Sequence, residues 1–326
     1  MMQAIRNFIF VAIGLSLLAG CGGGGSAVPN NTGGGNLATI TTQNAPAVAG
    51  VVAEVALEDG IFGSVFNQNL PIASSGSQRI LSGVAKAASP SNLFATNAGL
   101  ALCAVSGTVD VEVTITNPLT PSVGDQYRFA FEACDEGTGT VTSGSMVITI
   151  TALGGDLATG EFLLGTRIEL TALQITEDGE TSSANGTVSI EIDTTMAPIT
   201  TITVSASALA TTTEGMVETV TDLTVTISED QGMFPTAVTV ETSFTISSPR
   251  IGGDVVVSTS LVLQSTGAEY PFVGELRIMA AGNAVIVLIA VDSNSVRLEV
   301  DVDGDGAMDD SIDTTWDEIL AAAAAA

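Results

Sequence analysis

Thr108-Val109-Asp110-Val111-Glu112-Val113-Thr114-Ile115-Thr116 alternates apolar and polar residues without a break. A period of two sets Val109, Val111, Val113 and Ile115 on one face, and Asp110, Glu112, Thr114 and Thr116 on the other. That is the pattern of a half-buried strand with one wet face. The alternation returns at Tyr127/Phe129/Phe131, Met146/Ile148/Ile150, Val188/Ile190/Ile192, Ile202/Val204 and Leu223/Val225/Ile227. Further on it runs through Val238/Val240, Val255/Val257, Leu261/Leu263, Val285/Val287/Ile289/Val291 and Val296/Leu298/Val300. Threonine on the polar face suits a pleated surface because its β-branching restricts χ1.

Turn signals separate these runs: Val123-Gly124-Asp125, Glu177-Asp178-Gly179-Glu180, Asn185-Gly186, Glu229-Asp230-Gln231-Gly232, Gly252-Gly253-Asp254 and Ala281-Gly282-Asn283. Loops this short, with no helix between strands, make antiparallel neighbours rather than βαβ crossovers. The expectation is a mainly β protein with one large antiparallel sheet, a meander that is curved or folded over into a sandwich or half-barrel. Two stacked sandwiches also fit the spacing. A membrane-embedded barrel fits poorly, because eleven Phe, two Tyr and one Trp are few for two interfacial girdles. A faint internal echo joins Gly107-Thr-Val-Asp-Val, Gly144-Ser-Met-Val-Ile and Gly186-Thr-Val-Ser-Ile, each opening an alternating run.

Upstream, the period becomes helical. Val48, Val51, Val52 and Val55 share one face, Thr41 or Thr42 supplies a cap, and Glu58-Asp59-Gly60 a stop. Ser77–Ala88 reads as a second short helix ending at Pro90. At the far end, Thr315 with Glu318 forms a capping-box pattern before Ile319, Leu320 and a run of alanines, which makes a short C-terminal helix. Trp316, the single tryptophan, is expected to dock that helix onto the body. The organisation is then 1–20 leader, 21–36 tether, 37–100 helical segment packing on the sheet, and 101–326 antiparallel β domain with the C-terminal helix.

The leader and tether come from their own residues. Phe8–Leu18 is a short apolar run behind Arg6, too short for the ~20 residues of a spanning helix. Leu18-Ala19-Gly20-Cys21 resembles the lipobox of bacterial lipoproteins. That resemblance covers residues 1–21. It implies cleavage before Cys21, a diacylglyceryl and palmitate-type anchor on its thiol, and, with Gly22 rather than an aspartate following, the outer membrane. Gly22–Gly35, GGGGSAVPNNTGGG, is a flexible linker by composition.

Eight cationic side chains face 36 acidic ones, a net charge of −28, and Arg6 leaves with the leader. Such a surface repels nucleic acid and anionic headgroups. The absence of histidine excludes His-based triads, HExxH zinc sites and imidazole bases. With Cys21 acylated, Cys103 and Cys134 remain, in an oxidising compartment where two thiols pair most simply.

One stretch has the spacing of a ligand set. Asp301-Val-Asp303-Gly-Asp305-Gly306-Ala-Met-Asp309 resembles the opening of EF-hand-like and dockerin-type calcium loops. In such loops acids at positions 1, 3, 5 and 9 converge because a glycine at position 6 allows a sharp turn. The resemblance implies calcium on Asp301, Asp303, Asp305 and Asp309. The twelfth position departs from it: Ile312 stands where a bidentate acid belongs, and Asp313 comes one residue late. The same residues also read as a tight Asp-Gly hairpin turn, and the two readings are compatible. The acid pairs Asp135-Glu136, Glu229-Asp230 and Asp309-Asp310 are expected to be solvated turn residues rather than catalytic pairs. Ser74-Ser75-Gly76-Ser77 and Ser143-Gly144-Ser145 lack a base partner, and no G-x-S-x-G elbow, Walker loop or dinucleotide fingerprint occurs.

These residues together point to a non-enzyme: a lipid-anchored outer-membrane lipoprotein acting as a binding or structural module, calcium-stabilised. It has a membrane partner through its anchor and no nucleic-acid partner. Two alternatives stand beside it. A helix too small to fill a curved sheet would leave room for an apolar ligand, making a carrier; two acids facing each other across a cleft would make a histidine-free hydrolase.

Overall fold

A computed structural model describes residues 36–56, 98–117, 120–135, 140–156, 159–177, 180–213, 215–266 and 270–326. The leader, Cys21, the tether up to residue 35, the Glu58-Asp59-Gly60 stop and the expected helix at Ser77–Ala88 lie outside the described residues. The chain divides into two compact units. Its strands form a single antiparallel sheet in which every strand neighbours the next in sequence. The sequence-based expectation of a mainly β protein with one large antiparallel meander is met.

The first unit holds β1 (Gly99–Leu102), β2 (Ser106–Thr114), β3 (Gln126–Asp135), β4 (Thr140–Asp156), β5 (Glu161–Glu177) and β6 (Glu180–Asp193). Val109 and Val111 of β2, Met146, Ile148 and Ile150 of β4, and Val188 and Ile190 of β6 are buried, as the alternation requires. Asn185-Gly186 is not a turn: it lies within β6. The pair belongs to a line of β-bulges, and this line explains the internal echo. Gly107, Gly144 and Gly186 all have positive φ, as do Ala133 and Ala172 on the strands between them. Registers slip at these places in the β2/β3, β3/β4, β4/β5 and β5/β6 pairings. The Oγ of Ser143 accepts from the Ala133 amide at 3.3 Å, and the Oδ1 of Asn185 from the Ala172 amide at 2.7 Å. A polar residue followed by glycine therefore holds each left-handed alanine on the preceding strand, and the strands bend there.

The second unit contains α1 (Ala45–Ala56), β9 (Ala237–Ser248), β10 (Gly253–Ser265), β11 (Val273–Met279), β12 (Val285–Ala290), β13 (Ser295–Asp301), β14 (Asp310–Thr315) and α2 (Trp316–Ala324). β7 (Ile199–Thr213) and β8 (Met216–Asp230) divide between the units: residues 209–217 group with the first and the remainder of both strands with the second. The continuous buried face of β12 is Ile286, Leu288 and Ala290, and of the expected Val285/Val287/Ile289/Val291 only Val285 is buried. Val-Ile-Val-Leu-Ile-Ala is apolar at both parities, so alternation alone could not choose its inner face. In β10, Leu263 is buried and Leu261 exposed, because register shifts against β11 fall between Thr259 and Leu261 and again between Leu261 and Gln264.

Thr41 caps α1. Its Oγ1 accepts from the Asn44 amide at 3.2 Å, while the Asn44 Oδ1 accepts from the Thr41 amide at 2.7 Å. Ten of the twelve residues of α1 are buried. The helix packs on α2, β12, β13 and the 3-10 turn Pro249–Ile251. Gly50 makes the helix–helix approach possible: a Cβ there would lie 2.0 Å from the Ile319 carbonyl oxygen and 2.9 Å from the Ala323 Cβ. α2 opens on the expected capping box between Thr315 and Glu318. Trp316 is fully buried and stacks on Tyr270 at 5.6 Å, the docking role foreseen for it.

Candidate functional site

The aspartate-rich stretch closes the β13–β14 hairpin, whose strands pair from Ser295 opposite Thr315 to Val300 opposite Asp310. Gly304 and Gly306, both at positive φ, let residues 302–309 fold back so that the Asp309 amide donates to the Val300 carbonyl at 2.8 Å. Gly304 also has no room for a side chain, since a Cβ would meet the Gly282 carbonyl oxygen at 2.2 Å.

Asp301 is the buried member. Its Oδ1 accepts from the Gly304 amide at 2.7 Å and its Oδ2 from the Gly306 amide at 3.0 Å. The Oδ2 of Asp309 accepts from the Val302 amide at 2.8 Å, and the Oδ1 of Asp303 from the Asp305 amide at 3.1 Å. Carboxylate oxygens of Asp301, Asp303 and Asp309 all come within 4.8 Å of one another. Asp305, the fourth expected ligand, is not part of this convergence; its Oδ1 accepts from the Ala307 amide at 2.7 Å. Nor does the late acid complete the set: Asp313 lies on β14 with its Oδ1 2.7 Å from Arg297 Nε. The twelfth position, Ile312, is a strand residue opposite Leu298. Three acids thus form an oxygen-rich cup of a type suited to a hard cation, and the amides of a hairpin turn hold it in place. The hairpin-turn reading of this stretch is met, with Gly304 and Gly306 turning the chain between β13 and β14.

Cys103 and Cys134 form a disulfide, with Cα atoms 5.5 Å apart, that ties the β1–β2 connection to β3 next to the bulge at Ala133. Cys21 lies outside the described residues. Of the acid pairs, Asp310 opens β14, Glu229 belongs to β8, Glu136 lies outside the described residues, and Asp230 holds a turn, its carboxylate oxygen accepting from the Gly232 amide at 2.9 Å. Asp292 does the same in the β12–β13 turn, where amide hydrogen bonds from Asn294 and Ser295 hold its carboxyl below the usual range. No helix among the described residues is long and apolar enough to cross a membrane.

Sequence reasoning passed over a second polar group in the interior. Glu54, on the otherwise uncharged α1, and Glu218 both pair with Arg250, and all three side chains are nearly enclosed. A lone acid among valines and alanines was the available signal. No protein-family model, curated protein or solved structure matches the chain.

Proposed function

We propose that this protein is a lipid-anchored outer-membrane module that is structural or binding in role and non-catalytic, with a calcium-stabilised hairpin at residues 301–309. The observation that carries the module reading is the enclosure of α1. A helix buried on ten of twelve positions, pressed against α2 at a glycine with no room for a methyl group, occupies the place an apolar ligand would need in a carrier. The missing histidine and the turn-holding use of Asp230 and Asp292 favour the same reading over a carboxylate-dependent hydrolase.

The anchor rests on Leu18-Ala19-Gly20-Cys21 and the glycine-rich linker that follows. Mass spectrometry of the N-terminal peptide of the native protein tests it. The expected species starts at an acylated Cys21; an unmodified peptide reading through residue 21 refutes the anchor. Calcium rests on the convergence of Asp301, Asp303 and Asp309, because three carboxylates this close repel one another unless a cation screens them.

A further inference from the structure

Around Arg250 one cation meets two acids in a nearly dry setting. Its Nη2 is 2.8 Å from Glu54 Oε2, and its Nε donates to Glu218 Oε1 at 2.8 Å. Nη1 donates to the Ala323 carbonyl in the last turn of α2 at 3.4 Å. The Oγ of Ser248 donates to the same Glu218 oxygen at 2.6 Å. One guanidinium therefore joins α1, β8, the Pro249–Ile251 turn and the end of α2. Fully ionised, the cluster would bury a surplus negative charge, at a cost of several kcal/mol for an uncompensated ion.

Other charges are too few, or too committed elsewhere, to cancel it. α1 has no second charged residue, and those of α2, Asp317 and Glu318, lie in its first turn, at the end away from Ala323. Glu218 of β8 and Arg250 of the 249–251 turn are joined there by Ser248 at the end of β9, and Asp222 of β8 is exposed. β12 has no charged residue; on β13, Arg297 turns outward to Asp313, and Asp301 spends both oxygens on its own loop.

We propose that Glu54, Glu218 and Arg250 form a proton-linked latch, in which a single proton on the Glu54 carboxyl neutralises the cluster and its release to solvent weakens the docking of α1 and α2. One Glu218 oxygen already accepts two donors, the Ser248 hydroxyl and the Arg250 Nε. Burial lifts the Glu54 carboxyl above the usual range; the bond to Arg250 and its charge pull the other way, and the charge of Glu218 adds to the rise. Arg250 is drawn down by burial but held up more strongly by its two carboxylates, so it stays charged. A carboxyl raised on folding means that the native state binds the extra proton. Its contribution to stability is complete below the ordinary glutamate range and is lost as pH rises through the raised value.

Denaturant unfolding of the full chain across about pH 4 to 8, beside Glu54→Gln, tests the latch. The wild type is expected to lose stability relative to Glu54→Gln as pH rises, by up to about tenfold in the unfolding constant per pH unit within the window. Parallel curves for the two proteins overturn the latch. Should Glu54→Gln fail to fold, carboxyl-carbon NMR titration of a glutamate-labelled Glu229→Gln chain decides instead. That background removes Glu229, the other glutamate among the described residues that burial raises. A glutamate still titrating above the ordinary range supports the latch, and none doing so overturns it.

Discussion

Gly144 shows at one residue how the sheet is built. It sits at φ 96°, and a Cβ added to it would fall 2.1 Å from the Ala172 carbonyl oxygen. Gly144→Ala should therefore cost about 1–3 kcal/mol from the left-handed backbone alone, and more from the clash. Thermal or urea unfolding of the purified variant measures it. The neighbouring strand makes the opposite prediction. Ala172 pays for a left-handed conformation at φ 46°, so Ala172→Gly should leave stability unchanged or raise it by about 1 kcal/mol. If both variants lose stability equally, the bulge is not held as described. The three glycine-led motifs were legible in the sequence as an echo, but their meaning was not. Ser143 and Asn185 act through amides on another strand, a relation that no one-dimensional spacing displays.

At the scale of elements, the β13–β14 hairpin and its loop carry the clearest chemistry. Calorimetry or a melting curve with calcium should show binding and a raised melting temperature for the wild type, and a much reduced shift for Asp303→Asn. Asp305→Asn should bind nearly as well as the wild type, since Asp305 turns to the Ala307 amide and not to the shared cup. The absence of any shift at millimolar calcium would remove the site. α2 offers an independent check. Losing the Thr315 hydroxyl that accepts from the Glu318 amide should cost about 1 kcal/mol in Thr315→Ala. Side-chain and backbone hydrogen bonds from Thr314 and Thr315 hold the Glu318 carboxyl below its usual range, so its share of stability is present at neutral pH and lost as pH falls through that lowered value. Glu318→Gln should therefore flatten the acid limb of a stability profile. Both described helices were readable from period and caps, and β2–β4, β6–β10, β12 and β13 from alternation, while β1, β5, β11 and β14 were not marked by it. The face of β12 was not readable, because Val285, Val287 and Ile289 compete with Ile286 and Leu288 on equal hydrophobic terms.

For the whole molecule, the sequence disclosed the order of the meander through its short turns, and the pairing of Cys103 with Cys134 through the scarcity of thiols. The cross-link closes a separation of 31 residues, a constraint of roughly 3 kcal/mol in the chain-entropy view. The buried Glu54–Arg250–Glu218 cluster was not legible because its members are distant in sequence: the β8/β9 pairing brings Glu218 to Arg250, and the packing of α1 adds Glu54. The central claim is that the body is a filled module held to a membrane by Cys21, not a vessel for a lipid. Native mass spectrometry of the protein extracted from its own membrane puts this to the test most directly. The account predicts a chain starting at Cys21 with its covalent acyl chains, and no further apolar molecule in stoichiometric amount. A lipid retained non-covalently at one per chain would contradict it.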